Sequence, residues 1–217
     1  MTDFYFVRHG QTEWNLERRF QGGQGDSPLL PTSYQDMHRV ADYLKDVTFD
    51  HAYTSPLRRA RVTAEVIVSD WQDAPQLSIR SNLLEVGLGQ WEGELTSQVA
   101  KDFPKAYDQY RNHLEEFEGE EFDGEGYTAA VTRFQRLITN LVQQYPDGKV
   151  LLVAHGLILS FGLNALLGTA RSEIRQRGGL SNTSTTILTT EDGQHFDVKA
   201  WNQTDYLNKE QDDSTTI

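Results

Sequence analysis

The chain has 217 residues, 37% hydrophobic and 24% charged, enough apolar content to bury a sizeable core within one domain. It contains no cysteine, which excludes disulfides, thiolate nucleophiles and zinc–thiolate centres. With 20 basic against 32 acidic side chains the formal net charge is -12, a field that repels a nucleic-acid backbone but that a few converging arginines can outweigh at short range for a small anion.

Met1-Thr2-Asp3 and the short apolar run behind it lack the basic flank and length of a signal peptide, and no stretch reaches the length of a membrane span, so a cytoplasmic protein without a membrane partner is expected. Phe4 to Val7 reads as a strand buried on both faces, ending at Arg8-His9-Gly10. A polar, glycine-rich loop from Gln11 to Pro31 follows. Thr32 or Ser33 is expected to cap a helix carrying Met37, Val40, Ala41 and Leu44 at three- and four-residue spacing. Val47 to Tyr53 reads as a second strand, and Thr54-Ser55-Pro56 as the start of a helix with a buried stripe of Leu57, Ala60, Ala64, Ile67 and Val68. This β-α-β-α beginning predicts an α/β fold with a mostly parallel sheet covered by helices on both faces.

A short strand is possible around Leu77 to Ile79, before Leu84-Glu85 and the glycine-rich Gly87 to Gly93. Thr96 to Phe117 reads as helical, and Glu118 to Gly126 as an exposed acidic loop. The stretch of about 94–126 is taken as a small helical insertion beside the site rather than a second domain. Tyr127 to Tyr145 has a strong helical period, Val150 to Ala154 is the clearest central strand, and Leu157 to Leu167 reads as a buried helix. Thr185 to Thr190 and Phe196 to Ala200 form a candidate hairpin around Glu191-Asp192-Gly193. A single domain over 1–207 and a flexible tail over 208–217 are expected.

His9 and His155 each follow an apolar strand and precede a glycine. In a parallel sheet both would emerge at the carboxyl ends of strands, where open α/β folds bind ligands. Each alone could be an ordinary strand-end histidine; the repeated context favours a shared site. Arg8 adjoins His9, and the arginines of Arg58-Arg59-Ala60-Arg61 lie near a helix start, where a guanidinium fork and free backbone N–H groups suit an anion, although surface ion pairing is the alternative. A metal centre using the histidines with Asp26 or Glu85 competes, but HExxH and EF-hand spacings are absent and arginines beside the candidate ligands disfavour a cation. Neither GxxxxGK[ST] nor GxGxxG occurs, so no nucleotide cofactor is implied.

Arg8-His9-Gly10-Gln11-Thr12, continued by Glu13-Trp14-Asn15, resembles the leading RHGxT signature of the histidine phosphatase superfamily, the phosphoglycerate mutase-like family. Thr54 to Ala64, Leu84 to Gly93 and Ala154-His155-Gly156 resemble its second, third and fourth blocks, in family order. Asp123-Gly124-Glu125-Gly126 partly matches a frequent GGES segment, and Ser33 stands where glycine is common. The resemblance implies a three-layer α/β/α sandwich, with His9 as the residue that becomes phosphorylated. It implies Arg8, Arg59 and His155 as phosphate-binding groups, Asn15 as a further polar pocket residue, and Glu85 as proton donor. No metal or cofactor is implied, and the expected partner is a small phosphorylated metabolite.

The expected activity is phosphomonoester hydrolysis by a metal-independent phosphatase of acid-phosphatase type. A phosphoglycerate mutase and a non-catalytic phosphate-binding module are the alternatives. Gly89-Gln90-Trp91-Glu92-Gly93 looks more like the broad phosphatase branch. The seven acidic residues between Glu115 and Glu125, with no lysine or arginine among them, would retain a bisphosphorylated intermediate poorly if they border the pocket.

Overall fold

A computed structural model describes residues 1–207; the expected tail lies outside the described residues. In chain order the elements are β1 (Thr2–Arg8), α1 (Glu13–Leu16), α2 (Pro31–Tyr43), β2 (His51–Thr54), α3 (Arg58–Ser69), β3 (Leu77–Ile79), α4 (Thr96–Asp102), α5 (Pro104–Asn112), α6 (Tyr127–Gln144), β4 (Lys149–Ala154), α7 (Gly156–Leu166), β5 (Thr185–Thr190) and β6 (Asp197–Gln203). Short 3₁₀ turns join several of them, including one at Arg171–Arg177 that the sequence pattern did not indicate.

The strands form one sheet in the order β3-β2-β4-β1-β5-β6. The first four run parallel, and β5 and β6 complete it as an antiparallel hairpin. Alternate residues of each strand point to opposite faces, and both faces are covered. Phe4, Phe6, Leu152 and Ala154 pack with Phe134, Ile138, Ile158 and Phe161 of α6 and α7. Tyr5, Val7, Leu151 and Val153 pack with Met37, Val40, Ala64 and Ile67 of α2 and α3. This double burial explains why β1 and β4 are continuously apolar.

Several boundaries differ from the sequence reading. The second helix starts at Pro31, whose fixed φ and missing N–H suit a first turn, with Leu30 rather than Thr32 or Ser33 at the cap. The Ser33 hydroxyl instead donates to the Gln11 carbonyl at 2.7 Å. β2 reaches only from His51 to Thr54, and α3 begins at Arg58, because Ser55 N–H still bonds along the sheet to the Val153 carbonyl at 3.1 Å. The expected helical stretch after Thr96 is two helices, because Pro104 has no N–H to continue the first.

Candidate active site

β1 and β4 are neighbours in parallel register, with Arg8 opposite Ala154. The next residue of each strand is therefore a histidine, and the rings of His9 and His155 lie 5.1 Å apart between centroids. Thr54 stands opposite Val153 on the other side of β4, which brings Ser55 to the same sheet end. Three strand exits thus meet at one end of the sheet.

His9 Nδ1 lies 2.7 Å from the Gly10 carbonyl. A carbonyl only accepts, so this contact requires the proton on Nδ1 and leaves Nε2 as the free base of the neutral ring. Gly10 N–H donates to Thr63 Oγ1 at 3.0 Å. A side chain on Gly10 would bring its Cβ to 2.6 Å from the Met37 methyl group and 3.0 Å from Ser33 Cβ, so this turn has no room for one.

His155 is fixed in the opposite tautomer. Arg59 Nε donates to its Nδ1 at 3.1 Å, and an arginine N–H cannot accept, so the ring's proton lies on Nε2, 2.7 Å from Ser55 Oγ. Both histidines are held well below their ordinary pKa, first by burial and then by the Arg59 guanidinium, with Arg8 adding to the effect. Each is neutral at physiological pH.

Arg8 and Arg59 are buried. Burial lowers Arg8 to about 10, which leaves it cationic at neutral pH. Its Nη1 donates to the Leu180 carbonyl. Arg59 is anchored by the Gly25 carbonyl at 2.6 Å, the Gly22 carbonyl at 3.0 Å and Asp26 at 3.3 Å. Asp26 also accepts from Arg58 N–H at 2.6 Å, capping the start of α3 from a distant loop. The loop carrying these anchors is clamped by Glu92, which accepts from Gln24 N–H at 2.8 Å, from Leu88 N–H at 3.0 Å and from Gly25 N–H. A Cβ on Gly22 would lie 2.4 Å from that carboxylate.

Asn15 belongs to a capping box with Thr12. Its Oδ1 accepts from Thr12 N–H at 3.1 Å and from Asn182 Nδ2 at 3.3 Å. Asn182 also donates to the His9 carbonyl at 3.0 Å.

Glu85 is buried against the start of α7. Its Oε1 accepts from Val86 N–H at 2.9 Å and Ile158 N–H at 2.8 Å, and Oε2 from Leu157 N–H at 3.0 Å. These three donors favour the ionised form, but burial outweighs them and raises its pKa above the usual glutamate value. Glu85 therefore also caps the first turn of α7.

The structure brings His9, His155, Arg8, Arg59, Asn15 and Glu85 to one sheet end, while Arg58 is exposed. The sequence reading missed the supports: Ser55, Thr63, Asn182, Glu92 and Asp26 in its capping role. Ser55 and Glu92 lie within the matched blocks, but nothing local marks what they touch. Trp91 is fully buried and stacks on Phe122 at 4.0 Å between centroids, so it is core. The acidic segment is partly compensated by cations from elsewhere in the chain. Glu118 meets Arg171 at 2.5 Å, Glu121 meets Lys105 at 3.3 Å and Glu125 meets Arg133 at 2.7 Å. Its sequence alone therefore overstates the negative charge that this segment presents.

Two buried guanidiniums beside two neutral imidazoles form a floor complementary to a small anion. Among the described residues no three His, Asp or Glu side chains gather as a metal-binding group, and no helix is long and apolar enough to cross a membrane.

Residues 4–204 match the model of the histidine phosphatase superfamily, branch 1. Phosphoglycerate mutase-like protein 4 of Arabidopsis thaliana is 29% identical over 206 residues, covering 93% of this chain and 85% of that protein. The uncharacterized phosphatase PhoE of Bacillus subtilis is 32% identical over 168 residues, covering 77% and 79%. The solved structure of a mycobacterial glucosyl-3-phosphoglycerate phosphatase complexed with VO3 superposes with a TM-score of 0.81 at 27% identity, covering 93% of this chain and 99% of that one. The chain belongs to the histidine phosphatase superfamily.

Proposed function

We propose that this member of the histidine phosphatase superfamily hydrolyses small phosphate monoesters through a phosphohistidine on His9. The observation that carries the reading is the 2.7 Å contact from His9 Nδ1 to the Gly10 carbonyl, which leaves an unprotonated Nε2 beside two buried arginines. In the first step Nε2 attacks phosphorus, the bond to the ester oxygen breaks, and Glu85 gives its proton to the leaving alkoxide. In the second, the Glu85 carboxylate takes a proton from water as that water attacks the phosphohistidine, releasing phosphate and restoring His9. Arg8 and Arg59, fixed before the substrate arrives, hold the phosphoryl oxygens with Asn15. The whole scheme runs on side chains, so chelator treatment is expected to leave turnover unchanged.

His155 has to donate if it is to hold a phosphoryl oxygen. A phosphate oxygen at Nδ1 in place of Arg59 Nε needs a proton there, and the Ser55 hydroxyl can turn to donate into Nε2. The ring then presents Nδ1–H without gaining net charge.

The name of the Arabidopsis relative favours a second reading, transfer to another hydroxyl of a phosphorylated acid. Incubation with 3-phosphoglycerate and a bisphosphoglycerate primer separates the two: free phosphate with little 2-phosphoglycerate is expected, and rapid isomerisation without phosphate release reverses the assignment. Rapid-quench labelling tests the intermediate. The label is expected after alkaline quench, lost after acid quench, and absent in His9→Ala. A chain that binds phosphate esters without label or turnover is a binding module instead.

A further inference from the structure

Arg133, on α6, and Glu125, in the acidic segment before it, lie outside the four motif blocks and have no part in the reaction drawn above. Yet they enclose the segment that carries Glu85. The Arg133 guanidinium donates to the Asn82 and Leu84 carbonyls, each at 2.8 Å, and to the carbonyl of Glu85 itself at 3.2 Å. Its remaining donors grip Glu125, Nε to Oε1 at 2.7 Å and Nη2 to Oε2 at 2.8 Å. Glu125 in turn holds the residues after Glu85: its backbone N–H donates to the Gly87 carbonyl at 2.7 Å, and its Oε2 accepts from Gly87 N–H at 3.3 Å. Asn82 Nδ2 returns a bond to the Arg133 carbonyl at 2.8 Å.

A guanidinium satisfied by three carbonyls of one short segment and by a bidentate carboxylate has a single geometry. Residues 81–87 contain only a 3₁₀ turn at Ser81–Leu83, so regular secondary structure fixes little of this stretch. Both charged side chains are about three-quarters buried, at 22% and 23% exposure, where an ion pair is screened less than on the surface. We propose that Arg133 and Glu125 are positioning residues for Glu85, a clip that sets where its carboxyl stands relative to the leaving-group oxygen. This rests on the hydrolytic reading, because it assigns the clip to the proton-donating step.

A proton donor matters most when the alcohol leaves poorly. An alkyl phosphate needs it, whereas p-nitrophenyl phosphate releases a stable anion without it. Rapid-quench formation of phosphohistidine is therefore compared for β-glycerol phosphate and p-nitrophenyl phosphate in wild type, Arg133→Gln, Arg133→Lys and Glu125→Gln. In Arg133→Gln the labelling rate with the alkyl ester is expected to fall about tenfold to hundredfold, part of the roughly 10²–10⁴-fold a placed acid supplies, while the aryl ester labels within about twofold of wild type. The alkaline limb of the alkyl-ester pH profile should move as well, and Arg133→Lys should not restore the rate, since an ammonium cannot span three carbonyls and a carboxylate.

Equal loss with both esters, following a lower melting temperature, overturns the proposal in favour of a purely structural clip. Unchanged rates with both esters overturn it too. If Arg133→Gln does not fold, Glu125→Gln decides by the same comparison, because it removes only the charge and one acceptor. A wild-type protein that labels with neither ester overturns the hydrolytic reading itself, a result distinct from a normal wild type with ester-indifferent variants.

Discussion

Arg59 Nε donates to His155 Nδ1 at 3.1 Å, so the family's second-block arginine and its fourth-block histidine are joined directly before any phosphate arrives. The same guanidinium reaches the Gly22 and Gly25 carbonyls and Asp26. Lysine carries the charge but cannot make these four contacts from one rigid plane. Arg59→Lys is therefore expected to lower kcat/KM by about 10²–10³-fold, the range for losing one fixed charge contact on the transition state. Steady-state kinetics measures the loss, and ¹⁵N spectra of the histidine rings should show His155 no longer held in its Nε2–H tautomer. Wild-type kcat/KM in the lysine variant would remove Arg59 from the phosphate site.

The directions of two pKa shifts set the pH dependence of activity. In the proposed reaction His9 attacks as the neutral ring, and burial beside two arginines lowers its pKa, so the acid limb of kcat/KM is expected below the ordinary histidine value of 6.5. In the same reaction Glu85 gives a proton to the leaving alcohol, and burial raises its pKa, so the alkaline limb is expected above the ordinary glutamate value of 4.5. Both shifts enlarge the fraction of enzyme with the base free and the acid loaded. A pH profile with an alkyl phosphate should show both limbs, and Glu85→Gln should lose the alkaline one. An acid limb at or above pH 6.5 would contradict a buried, cation-flanked nucleophile.

The site histidines were legible because strand, histidine and glycine occur twice, and a parallel sheet places such ends together. Arg59 and Glu85 were legible only through the ordered blocks, since a second arginine in the Arg58-Arg59 pair and one glutamate among many carry no local signal. The long-range contacts that support the site were not legible. Asp26 caps a helix that begins 32 residues later, and Glu85 caps one that begins 71 residues later, contacts that exist only once strand order is set. Ser33 misled for the same reason: a local cap was expected, but its hydroxyl is used by Gln11 in a neighbouring turn.

Stability should also respond to pH through the two buried histidines. Their folded pKa values are lowered, so below about pH 6.5 the unfolded chain takes up protons at His9 and His155 that the folded chain does not. Stability therefore falls as pH drops from there toward the folded values, by at most about 1.4 kcal/mol per pH unit for each histidine. Glu85, whose pKa is raised, has the opposite slope above pH 4.5. Two groups against one leave a net loss on acidification. Denaturant midpoints at pH 7.5 and 5.5 should show it, with a shallower dependence in His155→Gln; an unchanged midpoint would mean that the histidines are solvated.

Asp26 allows the two halves of one anchor to be separated. Its carboxylate accepts from Arg58 N–H at 2.6 Å and from Arg59 N–H at 3.4 Å, a helix cap, and it pairs with Arg59 Nη1 at 3.3 Å. Asparagine can keep the cap but not the charge, whereas alanine loses both. Asp26→Ala should cost about 1 kcal/mol of stability, as lost caps do, and Asp26→Asn a few tenths. Activity should fall by about tenfold in both variants, because each frees the guanidinium that the proposed reaction uses to hold phosphoryl oxygens, an effect on the order of one partly exposed charged hydrogen bond. Thermal melts and kcat/KM on the same preparations test the separation. If activity follows stability in both variants, Asp26 is only a cap, and the Gly22 and Gly25 carbonyls with His155 suffice to hold Arg59.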